Sequence, residues 1–415
     1  MTTIREQAVQ AKSAARRLAV ADRAQKDKAL AAIAAGLRRG VSEIEAANAA
    51  DLAEASAAGM SGAMLDRLRM DSKTIESTAR GVEFVMGLPD PVGSRSSMQR
   101  LASGILAGRQ RVPLGVIAIV YESRPNVTVD AAALCLKSGN AALLRGGKEA
   151  KHTNRVLGHV LGRALAESGL PPEGIAIIPP GDRDGIRELV SLSGLVDLAI
   201  PRGGEGLIRF VVEHARVPVV QHYKGVCHMF LDQGADVEMA TRLALNGKVQ
   251  RPGVCNALEC LLVHAADAER LLPPVARALL AEGVELRGCA RTRELVPEAA
   301  AASDSDYGAE FLAKILAVRV VADYDAAVEH IATYGSNHTE VICTNDWSRG
   351  QRFLREVDAS CVLVNASTRF NDGGQLGLGA EIGISTTKMH AYGPMGLEHL
   401  TSEKWVVEGE GQIRS

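Results

Sequence analysis

The run Gly115-Val-Ile-Ala-Ile-Val-Tyr121 constrains the fold more than any other stretch of the chain. A near-continuous β-branched run reads as a strand buried on both faces of a parallel sheet, and such a strand needs a covering layer above and below. The flanking sequence supplies those layers. Residues 130–137, 151–168 and 182–193 read as helices, and 140–144, 174–178 and 196–200 as strands. Strands and helices alternating through short connections are the pattern of a doubly wound α/β domain. A second series begins near Gly225, with strands at 228–232, 259–263, 315–321, 340–344 and 361–365 and helices at 236–245, 266–282, 325–333 and 348–357.

Outside these two series the character differs. Residues 1 to about 90 are dominated by Ala, Leu, Arg, Glu and Gln, all helix formers. Within them Ser42 and Glu45, preceded by Val41, read as a capping box that opens a helix. The turn-rich segment 87–93 is a linker. Residues 98–112 read as a hairpin projecting from the body, and a short strand at 400–407 has no partner in its own neighbourhood. It is expected to pair with that hairpin or with another subunit.

A length of 415 residues allows two or three domains. Aromatic residues make up only 3% of the chain, so its cores must be aliphatic. The net charge of -2 gives no general affinity for nucleic acid or anionic membrane. Seven cysteines without CxxC spacing argue against a disulfide framework or a structural zinc. The first ten residues carry no apolar signal core, and no run approaches the ~20 apolar residues of a membrane span. A cytoplasmic protein is expected.

The chemistry centres on Cys255, in the punctuated loop Pro252-Gly253-Val254-Cys255-Asn256 ahead of the apolar run Leu258 to Val263. Lys248 and Arg251 precede it, and nearby positive charge favours a thiolate. The competing reading is a buried core cysteine, the commonest fate of this residue type. Two Gly-rich turns follow strands. Arg145-Gly146-Gly147-Lys148-Glu149 departs from a Walker A loop because Ala142 stands where its first Gly belongs and Glu149 replaces Ser/Thr. Gly203-Gly204-Glu205-Gly206 departs from the Rossmann spacing because position 209 is Arg. Both lie where open α/β sheets bind ligands. Arg145 and Lys148 offer two cations to a phosphorylated ligand, with a pair of solvated surface charges as the alternative. His222, Cys227 and His228 are close in sequence, but neighbours on a strand point to opposite faces, so no metal site is expected there. Cys260 reads as core.

Three segments carry a resemblance. Val112-Pro-Leu-Gly-Val-Ile-Ala-Ile-Val-Tyr-Glu-Ser-Arg-Pro-Asn126, Ser138-Gly-Asn-Ala-Ala-Leu-Leu-Arg-Gly-Gly-Lys-Glu-Ala150 and Gln250-Arg-Pro-Gly-Val-Cys-Asn256 resemble the aldehyde dehydrogenase superfamily. More narrowly they look like the γ-glutamyl phosphate reductase family of proline biosynthesis. The stretch Val321 to Ile342, with His330-Ile331, Tyr334-Gly335-Ser336 and His338-Thr339-Glu340, is similar to that family's pattern. The resemblance implies an NADP-binding domain at 1–225, a catalytic domain at 226–395 and an oligomerisation segment at 396–415. It implies Cys255 as the nucleophile, with Asn126 and the Cys255 amide as donors to the oxyanion. Arg145 falls where the superfamily has a lysine facing the adenosine ribose, and Lys148 where NAD-using members often have a glutamate. A cation there suits the 2′-phosphate of NADP(H). Gly203 and Gly204 are expected at the cofactor, and Glu310 with Phe311 at its nicotinamide ribose. Arg124, Lys224, Arg251 and Arg369 are candidate cations for the substrate's phosphate and α-carboxylate, and Asn371 lies in a Gly-rich segment, 369–375, expected to close over it.

One departure bears on the reaction. Hydrolytic aldehyde dehydrogenases carry a glutamate base in a segment that here reads His222-Tyr223-Lys224-Gly225, with no carboxylate. Without a base to activate water, a thioester can wait for hydride. The implied reaction is NADPH-dependent reduction of L-glutamyl 5-phosphate to glutamate 5-semialdehyde. Its rivals are oxidation of another small aldehyde and a non-catalytic binding protein on the same fold. A homo-oligomer and a functional association with a separate glutamate 5-kinase are further expectations.

Overall fold

The computed structural model describes residues 2–414. The chain divides into two compact units. Among the described residues the first comprises 2–221, 378–383 and 395–414, and the second 222–377 and 384–394. The break therefore falls four residues before the expected 225/226 boundary. The C-terminal stretch is not a segment apart, because it packs within the first unit.

The first unit opens with five helices: α1 (Ile4–Leu18), α2 (Arg23–Arg39), α3 (Val41–Ala57), α4 (Gly62–Leu68) and α5 (Ser72–Gly87). Capping boxes do open α1 and α2, through Thr3 with Glu6 and Asp22 with Gln25. The box expected at Ser42 and Glu45 is absent. Gly40 alone joins α2 to α3, so α3 begins at Val41 and Ser42 is already inside it; Glu45 instead accepts the Ser72 amide at 2.7 Å.

Then come β1 (Arg95–Arg100), β2 (Leu106–Pro113), β3 (Val116–Tyr121), α6 (Asn126–Lys137), β4 (Ala141–Arg145), α7 (Lys151–Glu167), β5 (Ile175–Ile177), α8 (Arg183–Ser191), β6 (Leu198–Arg202) and α9 (Glu205–His214). β3 is buried at every residue, as its composition requires. The parallel sheet runs β5-β4-β3-β6, so the order reverses between β3 and β6. Carboxyl ends of strands at such a reversal form the ligand crevice of open α/β sheets. The β1–β2 hairpin is extended by the C-terminal strand Thr401–Glu408, antiparallel to β2 from Thr401↔Pro113 to Glu408↔Leu106. That strand's partner is thus the hairpin of its own chain.

The second unit contains β7 (Cys227–Leu231), α10 (Val237–Val249), β8 (Leu258–His264), α11 (Ala268–Ala281), β9 (Glu285–Gly288), α12 (Ala290–Leu295), β10 (Ala300–Ala301), β11 (Ile315–Val321), α13 (Tyr324–Tyr334), β12 (Thr339–Cys343), α14 (Trp347–Glu356) and β13 (Cys361–Val364). Its sheet is wholly parallel, in the order β10-β9-β11-β8-β7-β12-β13. Side chains alternate across the pleat. Met229, Leu231, Leu261, Val263, Val318 and Val341 pack under α10 and α11, while Phe230, Leu262, Ala317 and Ile342 meet Ile331 of α13 and Phe353 of α14. An aliphatic core on one face and a core that includes Phe230, Tyr307, Tyr324 and Phe353 on the other thus clamp one sheet, so the expectation of purely aliphatic cores holds on one face only.

Candidate active site

Cys255 is half-buried in the segment between α10 and β8, at the amino edge of the second unit's sheet. Four strand-entering segments meet there, those ahead of β7, β8, β11 and β12. The Gly225 amide donates to the Glu310 carboxylate at 2.9 Å, and the Lys224 ammonium donates to the Gly308 carbonyl at 2.8 Å. The Val226 amide donates to the Ser336 hydroxyl at 2.9 Å. The Cys227 thiol donates to the Cys255 carbonyl at 3.2 Å. Burial pushes that thiol well above its usual range, so it stays protonated and a donor. A side chain at Gly225 is impossible without rearrangement: its Cβ would lie 1.9 Å from the Cys255 carbonyl oxygen. The backbone bearing the sulfur is therefore located by direct contact with the segment entering β7.

Two imidazoles flank the sulfur. One ring nitrogen each of His222 and His338, and the Cys255 Sγ, all lie within 4.8 Å of one another. The His222 Nδ1 is 3.0 Å from the Ile384 carbonyl, which can only accept, so Nδ1 carries the proton. His338 is fully buried, with Nδ1 2.7 Å from the Thr339 hydroxyl. Burial first, and the charge of His222 second, hold His338 down at about 3, so it is neutral at physiological pH. Neither ring was singled out as a site residue from sequence. His338 entered only as part of the family pattern, and His222 only in a group dismissed as a metal site and in the segment 222–225 that lacks a carboxylate.

Some expected groups are engaged elsewhere. Lys248 is not a charge donor to the thiol: it is buried, with Nζ 2.5 Å from the equally buried Glu259 carboxylate. Asn371 is fully buried; its amide donates to the Thr339 hydroxyl at 2.8 Å and the His338 carbonyl at 3.3 Å, and its own carbonyl accepts from Asn256 at 2.9 Å. It braces the histidine segment through its amide group. Arg369 donates to Gln250 at 2.9 Å, and Arg251 is exposed. Phe311 lies between Lys248 and Arg287, 5.9 and 5.3 Å from its ring centre.

In the first unit, Asn126 opens α6 and donates from Nδ2 to Asp130 at 3.0 Å. Burial pushes the Asp130 carboxyl up to about 6. Arg124 is exposed. Arg145 is buried, and its guanidinium is taken up by the Gly146, Gly181 and Asp182 carbonyls. It ties β4 to the entry of α8, whereas Lys148 is exposed. At the β3/β6 reversal, Gly203 and Gly204 lead into the ten-residue helix α9. Gly204 and Gly206 have open space where a side chain would stand, and Gly203 is pressed against Glu122. The Gly204 amide donates to the Glu122 carboxylate at 3.1 Å, so an anion already occupies the first amide of this terminus.

Residues 2–283 match the aldehyde dehydrogenase family. The γ-glutamyl phosphate reductase of Sorangium cellulosum is 62% identical over 409 residues, covering 97% of this chain and 96% of the relative. This chain belongs to the aldehyde dehydrogenase family, in its γ-glutamyl phosphate reductase branch. A second member of that branch, from Desulfatibacillum aliphaticivorans, is 55% identical across 99% of both chains. The crystal structure of the γ-glutamyl phosphate reductase of Thermotoga maritima superposes with a TM-score of 0.98 at 44% identity, over 99% of this chain and 100% of that one. The aldehyde dehydrogenase fold read from the sequence is thereby established. Among the described residues no helix is long and apolar enough to cross a membrane.

Proposed function

We propose that this protein reduces L-glutamyl 5-phosphate to L-glutamate 5-semialdehyde, releasing phosphate, with NADPH as reductant and Cys255 as nucleophile. The observation that carries the proposal is the half-buried Cys255, fixed by backbone contact with Gly225 and flanked by two imidazoles, in a chain so close to named γ-glutamyl phosphate reductases.

The Cys255 thiolate attacks the acyl carbon and phosphate departs, leaving a thioester on the sulfur. Splitting the reaction at a covalent intermediate replaces one hard step by two easier ones. The Cys255 amide is an oxyanion donor, contributing about 3–4 kcal/mol in sites of this type. Arg124, Lys224, Arg251 and Arg369 supply the cations for phosphate and α-carboxylate. The Lys224 ammonium keeps donors to spare, since Gly308 takes one of three. The α9 terminus at Gly203 and Gly204 holds the cofactor pyrophosphate, Lys148 its 2′-phosphate and Glu310 its nicotinamide ribose; when bound, the cofactor supplies the hydride. No carboxylate stands in the segment 222–225 to activate water against the thioester.

The test is a spectrophotometric assay of NADP reduction with glutamate 5-semialdehyde. Turnover should require phosphate as acyl acceptor. Equal rates with and without phosphate would instead indicate an aldehyde dehydrogenase that hydrolyses its thioester.

A further inference from the structure

We propose that His222 is the proton partner of Cys255: it takes the thiol proton, holds it as imidazolium while the thioester exists, and so cannot draw a proton from water. This rests on the reading of Cys255 as nucleophile and assigns to its neighbour a task that hydrolytic relatives give to a carboxylate.

The geometry singles out His222 from the two rings. Both have a nitrogen within 4.8 Å of the sulfur. His222 is the half-buried one, and its Nδ1–H is anchored on the Ile384 carbonyl, which leaves Nε2 as the nitrogen that accepts a proton. A backbone acceptor on one nitrogen steadies the tautomer and the orientation of the ring. His338 is unsuited to the task because it is fully enclosed and burial opposes its charged form. The other titratable or charged groups around this corner are Cys227, Glu310 on the Gly225 amide, Lys224 on Gly308, and the buried Glu340 and Lys248–Glu259 pair.

The steps balance. The Cys255 S–H bond breaks and its proton goes to His222 Nε2. The sulfur lone pair forms a bond to the acyl carbon, and the C–O bond to phosphate breaks with its pair leaving on phosphate, which takes its proton from solvent. Hydride then adds to the thioester carbon, the C–S bond breaks, the aldehyde carbonyl reforms and the thiolate returns beside the imidazolium. Throughout the thioester's life the half-buried ring beside the sulfur already carries its second proton, and the enclosed His338 is a weak base. A carboxylate in the same place would remain a base.

The experiment uses the full chain and two readouts. First, the rate of Cys255 alkylation by iodoacetamide, located by peptide mass, is followed against pH. In the wild type it should plateau below the ordinary thiol range, and in His222→Asn its midpoint should rise toward about 8.5, slowing alkylation at pH 6.5 about tenfold. His222→Gln, checked with its partner variant for native melting, guards against a folding defect in one of them. Second, His222→Glu should oxidise the semialdehyde without phosphate, because its carboxylate activates water. An unchanged alkylation profile in both amide variants would overturn the assignment of His222 while leaving Cys255 as nucleophile. Failure of the nucleophile reading itself would instead appear as wild-type turnover in Cys255→Ala.

Discussion

Gly225→Ala isolates the claim that backbone contact positions the nucleophile. The added methyl carbon would stand 1.9 Å from the Cys255 carbonyl oxygen, 2.7 Å from its carbonyl carbon and 2.9 Å from its Cα. All three are backbone atoms, so no side-chain rotation relieves the clash. Moving from 1.9 Å to ordinary contact at 3.4 Å means parting the two segments by about 1.5 Å. A shift of about 1 Å in a reacting group can cost about a hundredfold in rate, or about 2.7 kcal/mol in the barrier. The overpacking itself should destabilise the fold by about 1–3 kcal/mol. The assay is kcat/KM for phosphate-dependent oxidation of the semialdehyde, at a temperature where thermal melts show the variant folded. A fall of a hundredfold or more is expected. Gly253→Ala, in the same loop with its nearest neighbour at 3.8 Å, is the control and should stay within about threefold of wild type. Wild-type kcat/KM in folded Gly225→Ala would refute the reasoning.

Further outcomes concern the layers around the sulfur. Lys248→Met leaves the Glu259 carboxylate buried without its partner and should cost about 3–5 kcal/mol in urea unfolding, of which Lys248→Met/Glu259→Gln should recover more than half. His228 is fully buried; burial opposes its charge, but Glu340, 3.0 Å away, prevails and raises it to about 10. Since the folded value lies above the usual 6.5, this stabilisation should be complete below pH 6.5 and disappear as the pH rises through about 10, a slope that Glu340→Gln should flatten in melts across that range. Lys148→Glu should shift the ratio of NADP to NAD turnover toward NAD, and an unchanged ratio would remove Lys148 from the cofactor site.

The fold was largely legible because its strands are buried on both faces. β3, β4, β7, β8 and β12 are enclosed at every residue and consist mostly of apolar residues, the buried polar ones among them being paired, as Glu259 is with Lys248 and His228 with Glu340. The edge strand β10 and its neighbour β9 escaped notice: Ala300–Ala301 and Glu285–Gly288 are short and wholly or partly exposed, so no periodic pattern marks them. The site was legible where chemistry is local, as at Cys255 in its punctuated loop. It was illegible where partners come from distant segments. Nothing near Asn371 or Arg145 in sequence tells that their donors meet protein oxygens, and the convergence of His222 and His338 on one sulfur depends on strand order rather than on spacing. Lys248 shows the same limit, since a cation close in sequence was neutralised by a carboxylate across the core.

The most direct measurement is a single-turnover comparison of wild type and Cys255→Ala, each shown to be folded by its melt, with NADP, phosphate and glutamate 5-semialdehyde. Wild type should give a burst of NADPH and Cys255→Ala none above background. A comparable burst from the alanine variant would mean that hydride transfer needs no sulfur-bound acyl group, and the central claim would fall.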